Sequence, residues 1–192
     1  MIRKVLPAML AAMSLAATAQ ASQTLSAPSE IKLVFAGNTK EWNFVLSHDK
    51  REVTLELAAR HAAATDIVLV TDTGVVAYDI ASNGTVTPNA DRRILRDGEV
   101  VELDRTNAVV LELPEPVVGV EFSKPFALAA QTAVRGRYIG LKYIARDERG
   151  LTQFFAGKGP QRMTVKTEKG SYTFTLTMGT GGAPVYKVAA QQ

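Results

Sequence analysis

Cysteine is absent from the 192 residues, and histidine occurs only at His48 and His61. The first absence excludes disulfide staples, Cys-ligated zinc or iron–sulfur centres and a thiol nucleophile. Two histidines are too few for a multi-histidine metal centre, and neither a metal nor a cofactor is expected. Beyond the N-terminal segment no apolar stretch approaches the roughly 18 residues that carry a helix across a bilayer, so no transmembrane segment is expected. What is present is an ordinary globular balance of 46% hydrophobic and 21% charged residues, with 14 Gly and 8 Pro. That is too apolar for a disordered chain.

Residues 1–21 read MIRKVLPAMLAAMSLAATAQA. Arg3 and Lys4 supply a positive n-region, Val5 to Ala17 an apolar h-region, and Ala19-Gln20-Ala21 a small-x-small cleavage site. The apolar part is short for a membrane span, and no stop-transfer pattern follows it. The segment is expected to be a signal peptide cleaved near Ala21, which sends the protein to a bacterial periplasm. No cysteine follows that could carry a lipid anchor. Residues 22–30, polar and containing Pro28, are expected to be a flexible lead.

From residue 31 onward the dominant period is two. Ile31, Leu33 and Phe35 alternate with more polar neighbours, as do Trp42, Phe44 and Leu46, then Val53, Leu55 and Leu57. Val76, Tyr78 and Ile80 follow, then Val101 and Leu103, and Val109, Leu111 and Leu113. Downstream come Val118, Val120 and Phe122; Ile139, Leu141 and Tyr143; and Tyr172, Phe174, Leu176 and Met178. Side chains two apart share one face of a strand, so each set predicts a half-buried strand. Gly37-Asn38, Asp72-Thr73-Gly74, Asn83-Gly84, Asp97-Gly98, Arg149-Gly150 and Lys169-Gly170 supply turns between them, and Val185 to Val188 reads as a final strand. Leu55 to Ala64, rich in alanine, predicts a strand end followed by at most one or two helical turns. The fold class expected is all-β: an antiparallel sandwich-like architecture of two small modules, or one larger sandwich.

Pro114-Glu115-Pro116 marks the expected boundary, because proline cannot donate to a ladder and restricts the residue before it. The modules are then residues 31–115 and 116–192. Charge changes sign there: residues 22–115 hold 9 basic and 15 acidic residues, a net −6, whereas residues 116–192 hold 11 and 4, a net +7. Opposite charges on the two halves point to contacts with partners of opposite sign, or to head-to-tail self-association.

Asp72-Thr73-Gly74 follows the apolar run Ile67-Val68-Leu69-Val70. It resembles the Asp-Thr-Gly loop of retropepsin-like aspartic proteases, and Tyr138-Ile139-Gly140-Leu141 loosely resembles the apolar-apolar-Gly segment packed behind that loop. The resemblance covers three or four residues, and Val75 departs from the Ala or Ser usual after the glycine. It implies Asp72 as a catalytic residue in a homodimer, where two aspartates share a proton. Read from the residues alone, the same triplet is a hairpin turn. His48-Asp49, beside Lys50-Arg51, lacks a nucleophile placed against it and reads as a polar turn. Gly157-Lys158-Gly159-Pro160 lacks the residues of a phosphate loop.

The basic half interleaves Arg135, Arg137, Lys142, Arg146, Lys158, Arg162 and Lys166 with Tyr138, Tyr143, Phe154, Phe155 and Tyr172. Export argues against nucleic acid as the partner and leaves an anionic glycan or lipid headgroup, or an acidic protein. Those seven cations are the candidate binding residues. Three functions are therefore carried forward. The first is a non-catalytic periplasmic accessory or assembly component of an envelope structure, acting through strand edges and charge-complementary protein contacts, with an envelope protein or a second copy as partner. The second is a binding module for an anionic glycan or lipid, and the third is the aspartic protease.

Overall fold

The computed structural model describes residues 22–58, 61–104, 106–123, 130–143, 160–180 and 182–191, and these contain sixteen strands and no helix. In chain order they are β1 (Gln23–Ser26), β2 (Ile31–Ala36), β3 (Trp42–Leu46), β4 (Glu52–Leu57), β5 (Thr65–Thr71), β6 (Gly74–Ile80), β7 (Val86–Asn89) and β8 (Arg92–Leu95). They continue as β9 (Val100–Leu103), β10 (Ala108–Glu112), β11 (Val117–Phe122), β12 (Ala130–Arg135), β13 (Tyr138–Tyr143), β14 (Gln161–Thr167), β15 (Ser171–Met178) and β16 (Val185–Val188). Four sheets result: A, ordered β1-β4-β3; B, β2-β5-β6-β7; C, β12-β13-β10-β16-β8; and D, β11-β14-β15-β9. Most neighbours are antiparallel, as the short turns require. β16 instead runs parallel to both β10 and β8, and β9 runs parallel to β15.

Two cores explain the alternation. Trp42, Val53, Leu55, Ile67, Leu69 and Ile80 fill the space between sheets A and B. Leu111, Ile139, Leu141, Met163, Val165 and Phe174 fill the space between C and D. The backs of B and C then meet: Phe35, Val68, Val70 and Ala77 pack on Ala108, Val110 and Val185. Every residue of β5 is therefore buried, which is why Ile67 to Val70 reads as an unbroken apolar run. The β-sandwich-like class expected from the period-two pattern is the observed one, as four layers in the order A, B, C, D.

Particular segments differ from the expectation. Within the polar lead, residues 23–26 form β1, which pairs with β4 and buries Leu25. No helix follows β4 among the described residues: Ala62 is buried, and the Ala63 backbone is tied at both ends. Its N–H donates to the Glu41 carboxylate at 2.7 Å, and its carbonyl accepts from the Trp42 indole at 2.9 Å. In β11 a register shift between Val117 and Gly119 breaks the alternation, so Val117, Val120 and Phe122 pack on the core while Val118 turns outward. Pro114-Glu115-Pro116 lies where the chain passes from sheet C to sheet D, within the second core. Sheet membership changes from A and B to C and D earlier, between Asn89 and Arg92. Residues 22–89 carry a net −3 and residues 90–192 a net +4, a milder contrast than the proline boundary gives.

Candidate functional site

Open sheets leave unpaired backbone amides and carbonyls along their outer strands. Here those strands are β1 and β3 in sheet A, β2 and β7 in B, β12 and β8 in C, and β11 and β9 in D. Large apolar side chains left in solvent cluster on them. Val45 and Leu46 on β3, Ile94 on β8, Val100 on β9, Val118 on β11 and Val134 on β12 are between 40% and 69% exposed. Met178, on β15, is the one such residue on an inner strand among those described, and it lies opposite Leu103 of β9.

Edges differ in how they are blunted. β7 carries Pro88, β8 carries Arg92 and Arg93, β11 carries the bulge and Glu121, and β2 carries Lys32 and its own register shift between Ile31 and Leu33. β1 is polar. β3, reading Trp-Asn-Phe-Val-Leu, has no charge, no proline and an unbroken register along β4. By the usual means of discouraging strand addition it is the least protected apolar edge described. Alternation alone does not separate an edge strand from an inner one, because the order of neighbours is set by the fold. The signal in the sequence was the lack of charge between Glu41 and His48.

A second feature sits where sheets B and C meet. Asp66 is only 3% exposed, and its carboxylate accepts the Ala108 backbone N–H at 2.6 Å. Burial pushes its pKa up to about 8, the Ala108 hydrogen bond opposes the rise, and Asp79 and Asp104 add to it. Asp79, Asn89, Glu102, Asp104 and Asn107 join Asp66 around a small cavity of about 50 Å³. Among the described residues no three or more His, Asp or Glu side chains are placed to hold a metal ion. Sequence reasoning passed over Asp66, since one acidic residue opening an apolar strand looks like an outward-facing position.

Asp72 and Thr73 form the exposed two-residue turn joining β5 to β6, with Thr71 opposite Gly74 and Gly74 at φ 142°. Lys32 holds Glu30 at 2.7 Å and Asp72 at 3.4 Å, so the aspartate is an ion-pair partner at a hairpin tip. The candidate cations are distributed over separate places. Arg162 and Lys166 project from the outer face of sheet D, where Lys166 pairs with Glu121. Arg135 and Arg137 flank the β12–β13 turn, with Arg137 2.7 Å from Glu112 and its guanidinium over the Tyr138 ring. Lys142, at the other end of β13, donates to the Thr39 hydroxyl at 3.1 Å, and partial burial lowers its pKa. Arg146 and Lys158 lie outside the described residues.

No protein-family model and no curated protein matches the chain. Among solved structures, one similar chain is the Bacteroides ovatus mixed-linkage glucan utilization protein SGBP-B in complex with a mixed-linkage heptasaccharide. Identity is 14% and the TM-score 0.21, over 83% of this chain and 43% of that one. Another is the titin fragment A168169, at 14% identity and TM-score 0.22, over 84% of this chain and 92% of that one. This chain thus spans less than half the length of the first. Likenesses at this level of superposition do not extend to function.

Proposed function

We propose that this is a non-catalytic exported protein that acts as an accessory or assembly component of a cell-envelope structure, through strand edges and charge-complementary protein contacts. One observation carries the reading: among the described residues, of the six strands bearing exposed large apolar side chains, five are sheet edges. An edge strand offers main-chain hydrogen bonds to an incoming strand, and its alternate side chains give selectivity. Apolar groups scattered over inner strands would not serve that purpose. Export is supported by the leader, Arg3 and Lys4 before an apolar run ending at Ala19-Gln20-Ala21.

The test is co-purification from envelope extract, with identification of what is retained. Ile94→Lys and Val118→Lys replace solvent-exposed side chains, so circular dichroism and melting are expected to stay unchanged while the retained component is lost. An uncleaved product kept in the cytoplasm, or retention indifferent to charges on every edge, would reject the reading.

A further inference from the structure

β3 is the least protected apolar edge, and its hydrogen-bonding pattern says which of its backbone groups are free. The Glu41 carbonyl accepts from Ala58 N–H at 2.8 Å, and Ser47 N–H donates to the Glu52 carbonyl at 2.9 Å. With the register Asn43 to Glu56 and Val45 to Thr54 between them, the odd-numbered residues bond to β4. In an antiparallel ladder the alternate residues, Trp42, Phe44 and Leu46, then turn their amides and carbonyls away from β4. Trp42 is only 3% exposed, so the open stretch is Phe44-Val45-Leu46, centred on Val45.

Resting on the edge-contact reading above, we infer that its partner at this edge is a second copy of the chain, paired antiparallel through β3 about a two-fold axis at Val45. Phe44 of each copy then faces Leu46 of the other, and these two rungs carry about four main-chain hydrogen bonds. Val45 meets Val45 of the second copy on the outer face, a non-hydrogen-bonded rung, where side chains approach closest. Phe44 belongs to the inner face that packs on the first core, and Leu46 continues that face, so the pairing covers an apolar strip that solvent now reaches.

Charge placement permits the match. The paired stretch carries none, and the outer row across the junction reads Thr54, Val45, Val45, Thr54. Glu52 and Glu56, on β4, fall in rows where three strand spacings, about 14 Å, separate carboxylates of the two copies. That exceeds the screening length of about 8 Å at physiological salt. The joined sheet has the order β1-β4-β3-β3-β4-β1 and ends on polar β1 at both sides, so the contact closes as a dimer and does not propagate.

Sedimentation of the purified protein over a wide concentration range is expected to show the mass doubling. Leu46→Lys is expected to return it to the single-chain mass with circular dichroism and melting unchanged, and Val45→Lys serves as a second such variant. Because the chain has no cysteine, Val45→Cys gives a register-specific readout. A Cα separation of about 4.5 Å across that rung lies within disulfide reach, so oxidation should give a covalent dimer. Asn43→Cys, which this register sets against Ser47 of the second copy, should not. A single-chain mass at all concentrations overturns the inference, as does a dimer that survives Leu46→Lys without the Val45→Cys cross-link. A monomer that still retains an envelope component overturns this inference alone. A β3 dimer that retains none overturns the proposed function alone.

Discussion

Asp66 shows how far a single side chain departs from its ordinary behaviour when two sheets close over it. In the unfolded chain its pKa is about 3.8, and in the fold it rises to about 8 because burial disfavours the charge. Between those values the folded state holds a proton that the unfolded state has released. Stability from this group is therefore full at low pH and declines as pH rises toward about 8. Asp66→Asn keeps a carbonyl acceptor for the Ala108 N–H and removes the titration. Compared with the parent, the variant is expected to gain a few kcal/mol between about pH 5 and about pH 8. Denaturant melts at the two values measure this directly. A parent and variant that track each other with pH would show that Asp66 ionises freely.

At the scale of elements, alternation made β3, β4, β6, β9, β10, β13 and β15 legible, because each lays alternate side chains on one of two cores. It marked β2 as well, although the register shift there sends Ile31 to the first core and Leu33 and Phe35 to the layer between sheets B and C. Several of the strands it did not reveal have a physical reason. β1 buries one residue, Leu25, and β7 and β8 are four residues long with Pro88 or paired arginines among them. β14 opens on Gln161 and closes on Thr167, both buried, so polar residues occupy core positions at its ends. β11 itself was legible from Val118, Val120 and Phe122, but its bulge moved Val118 to solvent, which no two-residue period anticipates. The edges, where the proposed contacts lie, were legible in kind but not in place: sequence predicts strands, whereas topology decides which of them lack a neighbour. β16 illustrates the difference. Its span was readable, but not its position between β10 and β8, parallel to both. A central strand must both donate and accept, so Tyr186→Pro removes a ladder hydrogen bond and a buried side chain whose hydroxyl accepts from Ala183 N–H at 3.2 Å. Loss of about 3 kcal/mol or more is expected. On a chain this size that lowers the melting temperature by roughly 6–12 °C.

Across the whole molecule, the two cores are joined by a third apolar layer and not by a tether alone. Small residues let the sheets approach: a Cβ on Gly37 would fall 1.8 Å from the Thr106 carbonyl oxygen, and one on Gly140 2.7 Å from the Phe35 ring. Thr65 reinforces the join by donating its hydroxyl to that same Thr106 carbonyl at 2.6 Å. Gly37→Ala must displace backbone, and a loss of about 1–3 kcal/mol is expected, with amide exchange quickening at Ala108 and Val110 before it does at Phe174. Uniform quickening would mean that the cores melt as one unit.

The placement of β16 also orders events in time. β8 and β10 are made early, yet neither can be seated beside the other until a segment some tens of residues downstream arrives to fill the gap between them. Until Val185 to Val188 emerges, the second sandwich is an unfinished seam, and its halves stay apart. Sheet C thus depends on contacts far apart in sequence, the kind that form slowly.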